Sequence, residues 1–338
     1  MKYSRLKLIR KSFLVLVVFF AAYIGNIVFF PRNLPNKNFQ IIIDKDQNMH
    51  YLASELEKNH IIADKHIFLL ILRIMGEDRK VVAGLYVLHN NVSMWDVISR
   101  ITSGHPDQIS VTIIEGVRFS GIKSYIDGLP NIKHITNKLS EDDLKALLKI
   151  SAPNLEGLFY PTTYFIAPGQ SDLEIYNNAY NLMQTKLSAI YAKKSSNTHY
   201  TTPYQMLILA SLIQKETANN EDMLQIATVF NNRLGIGMKL QDDPAVFYGL
   251  HNIEKIDRKD FSIDTKYNTY LHAGLPPTPI CIPGESAIIA ASHPLNNSEI
   301  LYFIAVGKGQ TKFAESYDKH KAMIKKYLKK VTNHHIER

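Results

Sequence analysis

The chain has 338 residues, of which 46% are apolar and 21% are charged, a composition typical of folded proteins and unlike that of disordered chains. Its formal net charge of +8 is compatible with nucleic-acid binding. However, seven of the 39 Lys and Arg residues precede Asp44, the first acidic residue, which leaves 32 cations against 31 anions in the rest of the chain. The body is therefore nearly neutral, and we predict no nucleic-acid partner.

The positively charged residues near the N-terminus flank an apolar segment on both sides. Residues 12–30 contain no charged side chain and would span roughly 28 Å as a helix, close to the thickness of the bilayer hydrocarbon. Five cations precede the segment, so the positive-inside rule places residues 1–11 in the cytoplasm. A cleaved signal peptide is the alternative, but its apolar region is usually shorter and is followed by small residues. Because the segment ends in Val28-Phe29-Phe30-Pro31, we predict an uncleaved transmembrane helix over residues 12–30.

The next part of the chain predicts a small α+β subdomain. Residues 31–38 are typical of a linker, and the hydrophobic periodicity then predicts a strand, two helices, a strand and a helix capped by Ser93. The stretch AGLYVLHNNVSMWDVISRITSG at residues 83–104 resembles LysM modules, which bind N-acetylglucosamine polymers. The alternative is a spacer that holds the following domain away from the membrane. The predicted elements occupy residues 39–43, 48–59, 67–75, 82–88 and 93–104.

The remainder predicts a mixed α/β domain, so the fold class is α+β. The clearest signal is a helix over residues 203–217 that begins with Pro203 after the capping residue Thr202. An amphipathic helix follows and stops at Gly235, and Asp242-Asp243-Pro244 predicts a turn. Strands are predicted over residues 110–114 and 301–306, helices after residue 120 and over residues 172–192, 286–292 and from residue 318, and shaped loops over residues 155–164, 267–270 and 274–277.

Glu216 is the carboxylate best placed for chemistry. Leu209, Ile213 and Glu216 are spaced i, i+4 and i+7, so Glu216 ends an apolar helical stripe. Partial burial and the nearby helix C-terminus both favour a protonated carboxyl group, which a general acid at a glycosidic oxygen requires. The alternative is a solvated Glu at a helix end. Asp242 and Asp243 are candidates for the second carboxylate of a conventional glycoside hydrolase, or are simply turn residues.

The tyrosines and the single cysteine are weaker candidates for functional residues. Tyr160, Tyr164, Tyr248, Tyr267 and Tyr270 are candidate platforms for sugar rings or ordinary packing residues. The single cysteine, Cys281, lies in an apolar loop, and the sequence has no H-E-x-x-H motif. We therefore predict neither a metal nor a cofactor.

Several long motifs together resemble one family. The segment ASLIQKETANNEDMLQIATVFNNRLGIGMKLQDDPAVFYGL, with VTIIEGVRF, LEGLFYPTTYFIAPG, YNTYLHAGLPPTPICIPGESAIIAASHP and LYFIAVGKGQTKF in the same order, is similar to the endolytic murein transglycosylase family (MltG, YceG-like). Glu216 matches the family's catalytic Glu, whereas Gln214 replaces its first Glu. Asp243 matches the acid of the family's L-Q-x-D-P element, Asp242 falls at the variable position, and Ala245 replaces a Thr.

The resemblance implies an endolytic lytic transglycosylase of peptidoglycan. Such an enzyme cleaves between N-acetylmuramic acid and N-acetylglucosamine within nascent glycan strands and leaves 1,6-anhydro-N-acetylmuramic acid ends. Glu216 would act first as general acid and then as base. The expected cleft also includes Gln241, Asp243, Asn232, Arg233, Tyr248, Tyr267 and Asn268, with Asn232 and Arg233 alternatively bracing a helix.

We expect residues 1–11 to form a cytoplasmic tail, residues 12–30 the membrane helix, residues 31–107 the linker and LysM-like subdomain, and residues 108–338 the YceG-like catalytic domain. We expect a single-pass protein of the bacterial inner membrane with a periplasmic body, acting near penicillin-binding protein synthases as a terminator of strand elongation. The alternative functions are a non-catalytic peptidoglycan-binding scaffold and a two-carboxylate hydrolase.

Overall fold

A computed structural model describes residues 2–34, 38–43, 47–76, 81–89, 91–130, 132–167, 169–250, 258–307 and 310–334. The chain forms two compact units. The first comprises residues 1–111 with 165–170, and the second comprises residues 112–164 with 171–338. The predicted linker at residues 31–38 lies partly outside the described residues, because residues 35–37 are not among them.

The first unit begins with a long helix. Helix α1 spans Lys2–Phe29, and its segment Lys11–Phe29 is long and apolar enough to cross a membrane. Strands β1 and β2 pair antiparallel, with Asn38 opposite His89 and Ile43 opposite Gly84. Ser93 caps α4 through a capping box with Asp96. The further elements are β1 (Asn38–Ile43), α2 (Met49–Lys58), α3 (Lys65–Met75), β2 (Gly84–His89), α4 (Met94–Thr102) and β3 (Ile109–Thr112).

The core of the first unit lies between its two-stranded sheet and its helices. Phe68 and Tyr86 are fully buried there, and Val28 at the end of α1 belongs to the same apolar cluster. The last turns of α1 are therefore part of this core as well as the end of the apolar segment.

The second unit is mainly helical. Its strands β5 and β6 pair antiparallel, with Tyr302 opposite Ala314. The short strands β3 and β4 also pair with each other. Its elements are α5 (Phe119–Asp127), α6 (Glu141–Leu148), β4 (Thr163–Ile166), α7 (Asp172–Tyr191), α8 (Pro203–Glu216), α9 (Asn220–Gly235), α10 (Asp243–Gly249), a short 3-10 helix (Arg258–Ser262), α11 (Glu285–Ser292), β5 (Tyr302–Ala305), β6 (Thr311–Ala314) and α12 (Tyr317–His334).

Helix α8 is the centre of the second unit. Every residue from Met206 to Ile213 is buried, and the helix packs against α7, α9, α10 and α11. The periodicity predicted a single apolar stripe, but the helix is enclosed on all sides, as expected for a core helix that is hydrophobic all round. The N-terminal Thr202 cap forms as predicted, with its side chain accepting from the Gln205 N–H.

The mixed α/β character and the apolar N-terminal helix are confirmed. The structure corrects local details, because α6, β4 and β6 were not predicted and residues 243–249 form helix α10 rather than only a turn. The reason at α10 is that Asp242 caps it: its side chain accepts from the Ala245 N–H at 2.7 Å.

Two loops of the second unit approach closely at Gly157. Its φ is +77°, and a Cβ there would lie 2.5 Å from the Cβ of Pro279. Gly237 has a similar φ of +68° but open space around it. A side chain at either position would meet left-handed backbone strain, whereas only one at Gly157 would also collide with a neighbouring loop.

We therefore expect Gly157→Ala to destabilise the full-length protein more than Gly237→Ala. The backbone conformation costs both variants about 1–2 kcal/mol, and overpacking costs Gly157→Ala about another 1–3 kcal/mol. The measurement is denaturant unfolding of both variants in the same detergent. Equal losses in the two variants would contradict the close approach at Gly157.

Candidate active site

Glu216 is the last residue of the buried helix α8. Thr217 then adopts an extended conformation with ψ near 153° and ends the helix. The Glu216 side chain is partly buried, and this burial raises its pKa above the ordinary value for Glu. The negative end of the helix dipole acts in the same direction. The core helix thus holds a carboxyl group that favours its protonated form.

Asp242 lies against Glu216. It is 1% exposed, and its Oδ2 accepts from the Ala245 N–H. Asp242 Oδ1 is buried without a hydrogen-bond partner among the described residues. Burial and the neighbouring Glu216 carboxylate raise the pKa of Asp242 well above its ordinary value. Because two neighbouring buried carboxyl groups repel each other when both are ionised, the pair favours holding one proton.

The loop that presents Asp242 is fixed on both sides. Gln241 has a φ of +51°, which is uncommon for a residue other than glycine. Its N–H donates to the Thr269 carbonyl, and the Asp242 N–H donates to Thr269 Oγ1 at 2.8 Å. Arg233 Nη1 donates to the Leu240 carbonyl at 2.6 Å. These bonds hold an unusual backbone conformation at the site, as is common where residues are positioned for function.

Asp243 is exposed beside this pair. The Tyr270 hydroxyl donates to Asp243 Oδ1 at 2.6 Å. Burial and the neighbouring carboxylates raise the pKa of Tyr270, so its hydroxyl keeps its proton. The charge of Asp243 also raises the pKa of Glu216.

These groups open onto one cavity of about 270 Å³. Its wall combines carboxyl, amide and guanidinium groups with aromatic rings, the kind of surface on which sugar hydroxyls and ring faces are bound. Tyr302 and His320 stack with ring centroids 5.2 Å apart, and burial lowers the pKa of His320. The lining residues are Glu216, Arg233, Gln241, Asp243, Tyr270, Tyr302, Phe303, Tyr317 and His320.

Four of these residues were predicted for the cleft, namely Glu216, Arg233, Gln241 and Asp243, whereas the aromatic wall from the C-terminal part of the chain was not predicted. Tyr302 and Phe303 lie in β5, and Tyr317 and His320 in the first turns of α12. These residues are far from Glu216 in the sequence, so the sequence alone does not indicate that they line the same cavity. The LYFIAVGKGQTKF motif, which contains two of them, was the available signal.

Asn232 and Arg233 have different surroundings. Asn232 Nδ2 donates to the carbonyls of Ser298 and Ile300, and Asn232 is not part of the cavity lining. Arg233 lines the cavity and also braces it, because its Nε donates to the Leu301 carbonyl at 2.7 Å and its guanidinium lies 5.3 Å from the Tyr302 ring.

Tyr248, Tyr267 and Asn268 lie outside this lining. Asn268 is fully buried and donates to the carbonyls of Phe261 and Ile263, so it organises the turn around it. Tyr248 and Tyr267 form an edge-on ring pair with centroids 4.8 Å apart.

Tyr248 lines a second cavity of about 190 Å³ that also contains Glu156. Burial raises the pKa of Glu156 to about 7, although its carboxyl accepts from the Phe119 N–H at 2.8 Å. Phe119 is the first residue of α5, whose N-cap residue Arg118 provides no side-chain cap. Glu156 therefore caps this helix from another part of the chain.

Gln214 and Cys281 have structural contacts. Gln214 Oε1 accepts from the Gly284 N–H at 2.8 Å, a bond that needs only an acceptor at this position. Cys281 is buried, and its burial raises the thiol pKa far above the ordinary value. Such a thiol is inert as a nucleophile. Within the described ranges, no group of three or more His, Cys, Asp or Glu residues is arranged to hold a metal ion.

A larger cavity of about 530 Å³ lies by the N-terminal end of α8. Its lining includes His199, Tyr200, Tyr204 and Pro276, but no carboxylate among the lining residues. The smaller cavity at Glu216 is the candidate active site because it combines a carboxyl pair, perturbed pKa values and polar groups that converge on one space.

Comparison with known proteins finds relatives over most of the chain. A Bacillus subtilis protein named endolytic murein transglycosylase is 30% identical over 307 residues, which cover 85% of this chain and 84% of the relative. A Streptococcus pneumoniae protein of the same name is 26% identical over 374 residues, covering 98% of this chain and 67% of the relative. The crystal structure of a YceG-like protein from Listeria monocytogenes aligns with a TM-score of 0.56 at 26% identity, covering 85% of this chain and 98% of that structure.

The family comparison covers most of the chain. The YceG-like family matches residues 41–326, a range that includes the Glu216 cavity and most of the first unit. This chain belongs to the YceG-like family.

Proposed function

We propose that this chain is an endolytic lytic transglycosylase of peptidoglycan. It cleaves the bond between N-acetylmuramic acid and N-acetylglucosamine inside nascent glycan strands and leaves 1,6-anhydro-N-acetylmuramic acid ends. The observation that carries the proposal is the partly buried Glu216 paired with Asp242 in a cavity lined by aromatic rings. The names of the B. subtilis and S. pneumoniae relatives support the same substrate.

One carboxyl group is sufficient for this reaction. Protonated Glu216 gives its proton to the glycosidic oxygen while the bond from that oxygen to C1 of the muramic acid breaks and positive charge develops at C1. The Glu216 carboxylate then takes the proton of the C6 hydroxyl of the same sugar, whose oxygen forms the new bond to C1. An attacking group within the same molecule has a high effective concentration, so no activated water is required.

Asp242 forms a coupled pair with Glu216 in this proposal. Burial raises the pKa of both groups, so the pair keeps a proton at a pH at which an isolated carboxyl group would be ionised, and that proton is available on Glu216 for transfer. The hydrolase alternative requires a second carboxylate about 5–9.5 Å from Glu216 to reach the sugar or a water, and it would leave reducing ends.

The biological setting is part of the same proposal. Helix α1 anchors the protein in the bacterial inner membrane by a single pass, with residues 1–11 in the cytoplasm and the catalytic body in the periplasm. There it acts next to penicillin-binding protein synthases and terminates elongating strands. The alternative, a non-catalytic peptidoglycan-binding scaffold, requires that the Glu216 cavity bind glycan without cleaving it.

We expect Glu216→Gln to reduce strand cleavage by roughly 100-fold or more, because the amide cannot transfer a proton. Glu221→Gln, at an exposed position in the first turn of α9, is the matched control and should retain activity. The measurement is digestion of purified glycan strands by the full-length protein in detergent, followed by mass analysis of the termini. Reducing muramic acid ends would contradict the lytic mechanism, and unchanged cleavage by the variant would assign the chemistry to another residue.

Asp242→Asn should move the alkaline limb of the pH–rate profile to lower pH. The Asn amide keeps the acceptor that caps α10, but its N–H₂ donates to the Glu216 carboxylate and the shared proton is lost. Glu216 then ionises at a lower pH. The profile of the Glu221→Gln control should coincide with that of the unmodified protein.

The same variant has an expected signature in stability that requires no activity. The raised pKa values of Asp242 and Glu216 mean that the folded protein binds more protons than the unfolded chain, so the free energy of unfolding falls as pH rises through the folded pKa values. Asp242→Asn removes part of this loss, and we expect its stability relative to the unmodified protein to increase from pH 5 to pH 8. Thermal unfolding across this range measures it, and a pH-independent difference would refute a shared proton.

A further inference from the structure

We propose that the first unit is seated directly on the bilayer that α1 crosses, with Phe29, Phe30 and Trp95 in the lipid headgroup region. The partner is the lipid surface itself. The inference rests on the proposed anchoring by α1 and goes beyond it, because an anchor alone leaves a domain free to stand away from the membrane.

The first observation is that the end of α1 is built into the folded unit. Val28 is 5% exposed within the apolar core, and Ile24 and Ile27 pack against the same cluster. Helix α1 contacts α4, and the Phe29 and Trp95 rings lie 5.8 Å apart. The unit is thus packed around the last two turns of the apolar helix.

The second observation is one of length. The apolar part of α1 begins after Lys11, and its residues are exposed on all sides only as far as Tyr23. These 12 residues, 12–23, extend about 18 Å at 1.5 Å per residue, whereas the hydrocarbon layer is about 30 Å thick. A helix that fills the hydrocarbon must use its last turns, and those turns already carry the first unit. Spanning the bilayer therefore brings the surface of this unit to the lipid.

The third observation is that the chain is fixed immediately after the helix. The Arg32 N–H donates to the Val92 carbonyl at 2.8 Å, and the Val92 N–H donates to the Arg32 carbonyl at 3.1 Å. This bridge lies two residues before α4. Among the described residues, the chain that leaves α1 is therefore bound to the unit within three residues of the end of the helix.

The side chains at this junction suit a membrane interface. Phe29 is 61% exposed, Phe30 is 63% exposed and Trp95 is 39% exposed. In water, this group of aromatic side chains would be an unfavourable apolar surface, whereas Trp and other aromatic rings are enriched at the boundary between hydrocarbon and headgroups. Arg32 follows them and can reach lipid phosphates from the same level.

Trp95 provides a direct test because it is the only tryptophan of the chain. The full-length protein is reconstituted in phosphatidylcholine vesicles whose acyl chains carry bromine either close to the headgroup or close to the bilayer centre. We expect loss of most Trp95 emission with bromine close to the headgroup, a smaller loss with bromine at the centre, and weak quenching by iodide present on both sides of the membrane. Quenching by iodide without quenching by either brominated lipid would overturn the proposal.

Two controls separate this proposal from the anchoring on which it rests. In the double variant Trp95→Phe and Phe30→Trp, the indole directly follows α1, and its quenching by brominated lipid reports the membrane position of the helix end. Extraction of the vesicles at alkaline pH reports whether the chain is an integral membrane protein. A retained chain whose residue-30 indole is quenched while Trp95 is not would refute the seating alone, and extraction of the chain would refute the anchoring.

Discussion

The burial of helix α8 is the constraint on which the candidate active site depends. A helix enclosed on every side from Met206 to Ile213 has little freedom to move, so its last residue, Glu216, has a fixed position at the edge of the core. The same burial removes water from one side of the carboxyl group and raises its pKa. Position and proton affinity thus have a common physical cause, which is the packing of α7, α9, α10 and α11 around one helix.

The parts of the site that the sequence predicts are those whose residues lie close together along the chain. The cap at Thr202, the apolar run and Glu216 lie within one helix, so periodicity was enough to place the acid at the end of a buried segment. The Asp242-Asp243-Pro244 element was also local, and it predicted a turn. In the structure, Asp242 caps helix α10 and its carboxyl group lies near Glu216. Tyr302 and His320 join the cavity through tertiary packing of β5 and α12, and no periodicity in a single chain encodes such a contact.

Membership in the YceG-like family does not by itself establish the chemistry of this chain, which depends on the residues of its site. Asp242 occupies a position that we took as variable, yet its carboxyl group is buried against the proposed acid. At Gln214 an amide oxygen suffices to accept from the Gly284 N–H. The proton affinity of the site therefore depends on the placement of Asp242 and Asp243 around Glu216 in this chain.

The N-terminal part of the chain combines an excess of positive charge with a helix, α1, that is packed into the first unit. The excess of cations before Asp44 sets the direction of α1 in the proposed membrane topology, but charge alone does not determine how the folded part of the chain is attached to the helix. The burial of Val28 and the bridge between Arg32 and Val92 make the attachment stiff. A stiff attachment couples the orientation of the first unit to the tilt of α1, because neither can rotate without disturbing the same apolar core. Helix α1 is therefore a structural element of the first unit as well as its proposed membrane anchor.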